Sequence, residues 1–466
     1  MTSTPIETDY LIVGSGAVGM AFADILLTET DATLTIVDRF QKPGGHWNVA
    51  YPFVTLHQPS AYYGVSSREL SKGVKDEVGL NKGLFDLASG AEVIAYFDDV
   101  MRHQFLPTGR VQYFPMSDYQ GDGVFKSLLT GEEHTVKARK TVDATFLKTT
   151  VPFTHTPSFK IDDGVQFMPL NNLPQISTPP AGYVVIGGGK TGIDACLWLL
   201  QNGVDPDAIR WIMPRDAWLL DRRNAQPADE FFAHTIGAQA AQFEAIAAAD
   251  SIEDMFDRLE DAGYFVRIDK SVRPKMFHGA TVSQLELEQL RRIKNIIRMG
   301  RVQHIKKDKI ILDEGVLEIS PDHIHVDCSA RAISNDEMKP IFQGDLITPQ
   351  MVRSYQPVFS AAFIAHVDGA YDTEEEKNRL CGVVPLPNHD TDYIRFTAAF
   401  MMNQYNWSQD KDLRQWLLDN RLDGFSRMVR NADKDDAEKQ AILKRVRDNA
   451  PLAMAKLQEF LPQIAS

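Results

Sequence analysis

Two stretches of this chain carry the same device. DYLIVGSGAVGMAFADILL begins at Asp9, and GYVVIGGGKTGIDACLWLL begins at Gly182. Each reads as an apolar strand, three glycines spaced G-x-G-x-x-G, and an apolar helix. The first glycine permits the tight turn out of the strand, the second lets the backbone approach a pyrophosphate, and the third lets the helix pack close to the strand. The helix start then offers N–H groups and the positive end of its dipole to phosphate. In the first unit the glycines are Gly14, Gly16 and Gly19. Asp38 closes the next apolar strand, TLTIVD, where a carboxylate can accept hydrogen bonds from a ribose diol. In the second unit they are Gly187, Gly189 and Gly192, with Lys190 and Thr191 opening the helix. The competing reading, glycines that serve turn geometry alone, is weakened by the strand context and by Asp38. The expectation is an α/β chain: two Rossmann-like dinucleotide-binding domains of three-layer type, with a mostly helical C-terminal region.

Composition narrows the partners. With a net charge of −14, the surface repels nucleic acid and anionic membranes, so neither is an expected partner. Local helix starts still hold phosphate against that field. Cys196, Cys328 and Cys381 are scattered and form no C-x-x-C, which fits a reducing, cytoplasmic setting and argues against a dithiol reductase. No signal-peptide pattern opens the sequence, and no apolar run approaches the ~18 residues of a membrane span. The histidines are too dispersed for a metal site. Residues 226–299 have helical spacing, and DYIRFTAAFMMNQYNW reads as a core helix.

Between the glycine units, the loop after Asp38 holds KPGGHWN. Gly44 and Gly45 permit close backbone approach to a flat ligand, and Trp47 offers a broad apolar face; a Gly-Gly turn with a Trp packed beneath it is the alternative. The order of strand, G-x-G-x-x-G, acidic strand end, GG-x-W and YPFVTLHQPSAYYGV resembles the flavin-containing monooxygenase and Baeyer–Villiger monooxygenase superfamily. That resemblance implies FAD at the first unit and NADPH at the second, with a small-molecule substrate and O2 as partners. It divides the chain into an FAD-binding part (1–165), an NADPH-binding part with a helical insertion (166–320), a return to the FAD part (321–390) and a helical region (391–466). RWIMPRDAW puts Met213 where an NAD-selecting carboxylate would sit, with Arg215 just behind; Arg215 either pairs with a 2′-phosphate or with Asp216. Lys190, where the family has Asn, either contacts phosphate or points to solvent.

The resemblance further implies oxygen insertion through a C4a-(hydro)peroxyflavin, with His57 and Gln58 of TLHQPS beside the flavin ring. Gln58 would donate to the peroxide and His57 would act as proton donor or base near its ordinary pKa; alternatively both cap their own loop. The family fingerprint F-x-G-x-x-x-H-x-x-x-(Y/F) is altered here. In FLKTTVPFTHTPSF, Lys148 stands at the glycine and His155 comes two residues late. A reductase or oxidase without oxygen insertion, and a non-catalytic redox module, are the other readings.

Overall fold

The computed structural model describes residues 4–330 and 338–464. Its first sheet is built around the strand Ile6–Val13. That strand pairs in parallel with Leu34–Val37 on one side and Glu133–Asp143 on the other, and Leu34–Val37 pairs in parallel with Val111–Phe114. Alternation sorts the side chains. Tyr10 and Ile12 enter a large core with the helices Ala17–Glu29 and Pro357–Ala370. Leu11 and Val13 face the other way, clustering with Val136 of the neighbouring strand and with Phe125 of the strand Val124–Ser127, which pairs antiparallel with that strand's start. The sheet is therefore covered by helices on one face and strands on the other.

The second sheet repeats this plan. Gly182–Ile186 pairs in parallel with Ile209–Ile212 and with His323–Asp327. Val185 packs among helix residues such as Ile193 and Leu197, while Val184 and Ile186 pack on Ile305 and Ile310 of a second antiparallel layer. One expected boundary moves. His323–Asp327, assigned from sequence to the segment returning at 321, still belongs to the second sheet. It holds the position beside the glycine strand that Glu133–Asp143 holds in the first. The return comes with Leu346–Ile347, which pairs in parallel with Thr141–Val142.

The stretch 226–299 is less helical than its spacing predicts. Met276–Val282 is a strand, paired in parallel with Ala217–Asp221 in a separate three-stranded sheet. Its alternation is hidden because nearly all of its side chains are buried. That sheet shares a core with the C-terminal helices Asp392–Ser408 and Ala437–Phe460, and Tyr393, Ile394, Phe396 and Met401 of the apolar stripe lie inside it. Among the described residues, no helix is long and apolar enough to cross a membrane.

Candidate active site

Both glycine turns open on one cavity of about 1900 Å³. The two turns match in detail. Gly14 has φ +97° and Gly187 φ +131°, conformations that favour glycine. Gly14 N–H donates to Val37 O and Gly187 N–H to Ile212 O, each at the end of the neighbouring strand. A Cβ on Gly19 would lie 1.9 Å from Gly14 O, and one on Gly192 would lie 2.0 Å from Gly187 O. Each turn is also backed by an aspartate-led loop. Asp143 Oδ1 accepts from Thr145 N and Oγ1, and Asp327 Oδ1 accepts from Ser329 N and Oγ. Thr145 and Cys328 press on Gly14 and Gly187 respectively.

Neither glycine helix has a side-chain N-cap or an acidic residue in its first turn. The N–H groups at those starts lack intrahelical partners. Around Gly189 a Cβ would meet nothing within 4 Å, so the second start faces open space. Gly16 lies against Gly45, whose own Cβ would come 3.0 Å from Gly16 Cα, so paired backbones form the first floor. These cradles fit a pyrophosphate at each turn.

The structure locates the other expected residues as follows. Asp38 lines the cavity, yet its Oδ2 accepts from Ser15 N (2.5 Å) and Oγ (2.8 Å) and its Oδ1 from Phe40 N (2.7 Å), so it braces the glycine turn. Burial pushes its carboxyl up, against those donors. Gly44 and Gly45 both take positive φ, and Gly44 N–H donates to Ser15 O. Trp47 is buried at the cavity wall with its indole N–H donated to Tyr63 OH (2.8 Å). Thr191 lines the cavity at the second helix start.

Lys190 lines the cavity rather than simply pointing to solvent. It pairs with Asp194 one turn along its own helix, and Asp194 Oδ2 accepts from Tyr51 OH at 2.6 Å. Arg215 does not pair with Asp216, which Arg298 holds bidentately at 2.7 and 2.9 Å. Arg215 lines the cavity and donates to Asn388 Oδ1 (2.8 Å). Met213 is buried, and a Cβ on Gly188 would touch its Cγ. Lys148 has φ +41°, so the backbone at the fingerprint's glycine position keeps a left-handed conformation without the glycine. His155 Nε2 lies 3.3 Å from Ser329 Oγ, beside the second turn.

His57 and Gln58 both line the cavity, and among the described residues neither side chain bonds the backbone of its own loop. His57 is gripped from the three-stranded sheet. Thr281 Oγ1 donates to the His57 carbonyl, Arg222 Nε donates to the same oxygen (3.0 Å), and His57 Nδ1 lies 3.2 Å from Thr281 Oγ1. The Thr281 hydroxyl has one proton, already given to that carbonyl, so Nδ1–H is the donor in the last contact. Nε2 is then an acceptor. Burial, with help from the Lys190 and Arg222 charges, depresses His57 to about 3. The expectation of an ordinary pKa near 6.5 is thus replaced by a histidine held neutral.

A pH dependence follows. Unfolded His57 takes up a proton near its ordinary value of 6.5, whereas folded His57 stays neutral down to about 3. Its contribution to stability is complete above that upper value and is lost as pH falls through the window. The urea midpoint should therefore decline from pH 7 to pH 4, and His57→Asn should flatten the decline. An unchanged slope would count against a neutral His57.

Sequence reasoning missed the partners that hold this loop. Arg222, fully buried, also donates to Asn81 Oδ1 (3.1 Å) and pairs with Glu286 (2.8 Å). With Tyr51 on Asp194 and Phe53 stacked on Trp198 at 4.9 Å, the stretch 51–58 is the seam between the two glycine-bearing parts.

No family model matches the chain. It is 51% identical over 418 residues to the uncharacterized protein Rv2000 of Mycobacterium tuberculosis, covering 90% of this chain and 78% of that one. The uncharacterized protein Mb2023 of Mycobacterium bovis matches to the same extent, 51% over 418 residues. Similar solved structures include OTEMO in an FAD-bound form, 13% identical over 81% of this chain and 84% of that one, with a TM-score of 0.49. Oxidized steroid monooxygenase bound to NADP is 13% identical over 95% and 98%, with a TM-score of 0.46. A flavin monooxygenase from Stenotrophomonas maltophilia is 13% identical over 81% and 100%, with a TM-score of 0.45.

Proposed function

We propose a function for this chain, which belongs to the same family as Rv2000 of Mycobacterium tuberculosis: it is an FAD-binding, NADPH-using oxidoreductase, and a monooxygenase of a small organic substrate. The observation that carries the reading is the pair of matching, uncapped glycine helices opening on one cavity. Residues before about 165 and the return through Leu346–Ile347 form the FAD part with a Rossmann-like sheet; the sheet of Gly182–Ile186 is its NADPH counterpart. Gly14, Gly16 and Gly19 hold the flavin pyrophosphate, with Asp38 fixing the turn and Gly44, Gly45 and Trp47 flanking the ligand. Gly187, Gly189, Lys190, Thr191 and Gly192 hold that of NADPH, and Arg215 meets its 2′-phosphate.

When bound, FAD supplies a two-electron store that accepts hydride from NADPH and reacts with O2. The chain's residues do the rest. Gln58 carries amide donors into the cavity, where a hydrogen bond to reduced oxygen retains it for transfer. Neutral His57 offers Nε2 as an acceptor and holds one proton fixed on Nδ1 toward Thr281. Trp47, Tyr51 and Leu56 give the walls an apolar lining that excludes water.

The test follows NADPH, O2 and H2O2 together, with candidate substrates. Coupled product formation supports insertion. Release of all reduced oxygen as H2O2 with every substrate supports the oxidase reading, which Lys148 and the displaced His155 favour. Gln58→Leu should raise the H2O2 fraction about tenfold, because a donor at a developing oxyanion is lost. An unaltered fraction removes Gln58 from the site. Arg215→Ala should raise KM for NADPH about 10- to 100-fold, as expected for a lost charge-assisted bond, and leave KM for NADH alone. Equal effects on both would assign Arg215 to structure only.

A further inference from the structure

At the end of the cavity lined by the C-terminal helices lies a buried ion pair whose guanidinium is short of hydrogen-bond acceptors. Arg353 is 4% exposed and lines the cavity. Its Nη1 is 3.2 Å from Asp423 Oδ2 but makes no hydrogen bond to a described residue. Asp423 is committed elsewhere: its Oδ1 accepts from Ser426 N (2.8 Å) and its Oδ2 from Ser426 Oγ (2.9 Å). The buried Tyr62 hydroxyl, close enough to feel the charges of Arg353 and Asp423, also lacks a partner, as does Oε1 of the cavity-lining Gln356. The Tyr62 ring stacks on Phe425 at 5.6 Å. Three aromatic rings enclose the guanidinium, with Phe359 at 4.6 Å, Phe425 at 5.2 Å and Phe400 at 5.9 Å.

Burying such donors without acceptors is costly, and the cost is recovered when a ligand provides them. Planar, forked donors match a carboxylate. Two further cations, Arg414 and Arg430, line the same cavity. Phe400, Phe425, Trp407 and Leu417 supply apolar walls. We infer that Arg353 anchors the substrate of this cavity, and that the substrate is an organic monocarboxylate with an apolar body. As a statement about substrate the inference rests on the proposed oxidoreductase reading; as a statement about binding it does not.

The test titrates the purified flavin-loaded protein with benzoate, and with benzamide as its neutral counterpart, by calorimetry. Benzoate should bind at least tenfold more tightly than benzamide. Arg353→Met should erase that preference, and Arg353→Lys should keep part of it. Asp423→Asn should tighten benzoate binding severalfold, because it removes the one carboxylate competing for the guanidinium. Equal affinity for the two compounds, a preference untouched by Arg353→Met or Arg353→Lys, or displacement of FAD by benzoate would overturn the inference. A colourless protein that still prefers benzoate would sink the cofactor reading and leave this one standing. A yellow, NADPH-reducible protein without the preference would do the reverse.

Discussion

Gly192→Ala is expected to give a protein that keeps its flavin and no longer reduces it efficiently with NADPH. The added methyl would lie 2.0 Å from Gly187 O and 3.2 Å from the Trp211 indole nitrogen, which itself donates to that carbonyl at 2.8 Å. Neither neighbour can yield without breaking the turn, so the helix Lys190–Gln201 must move away from the strand. A displacement near 1 Å at a positioning element costs on the order of 100-fold in rate. Stopped-flow reduction at low NADPH should fall by about that factor, while the flavin-to-protein ratio stays constant. Gly19→Ala, with its methyl 1.9 Å from Gly14 O, is the mirror experiment and should lose the flavin itself. If Gly192→Ala is reduced at the wild-type rate, NADPH binds somewhere else.

Arg222→Met should destabilise the protein by about 3–5 kcal/mol, the usual cost of stranding one partner of a buried ion pair. Arg222 has no exposed surface, and Glu286 opposite it is 8% exposed and also accepts from Ser283 N (2.7 Å). Without the guanidinium, Glu286 keeps a buried charge and the carbonyl of His57 loses a donor. Chemical denaturation should show the loss. Arg222→Met with Glu286→Gln should recover much of it, since the uncompensated charge is gone. Thr281→Val should cost less, about 1–2 kcal/mol, and act mainly on the proton position of His57. A neutral result for Arg222→Met would mean that the network is not what holds the loop.

Both turns were legible because each is a local pattern: strand, three glycines and helix occupy consecutive residues, and the steric demands on Gly14, Gly19, Gly187 and Gly192 are met within the turn itself or against its nearest neighbours. The Lys190–Asp194 pair was equally local, spaced i,i+4 within KTGID. The grip on His57 was of another kind. His57 and Thr281 are 224 positions apart, and no periodicity links them. The alternative that paired Arg215 with Asp216 fails for the reverse reason, since the two are adjacent in sequence and Arg298 holds Asp216 instead. The strand Met276–Val282 escaped notice because burial on both faces removes the alternation by which strands are recognised.

The seam at 51–58 has a mechanical consequence. Tyr51 is tethered to Asp194, Phe53 is stacked on Trp198, and His57 is tied to Thr281 and Arg222, so three successive points of one loop are anchored in the part that carries the second turn. Any swing of that part away from the first sheet pulls the histidine and its neighbouring glutamine along. Opening the cleft thus carries both cavity-lining side chains away from the first turn in the same stroke, and shutting it returns them.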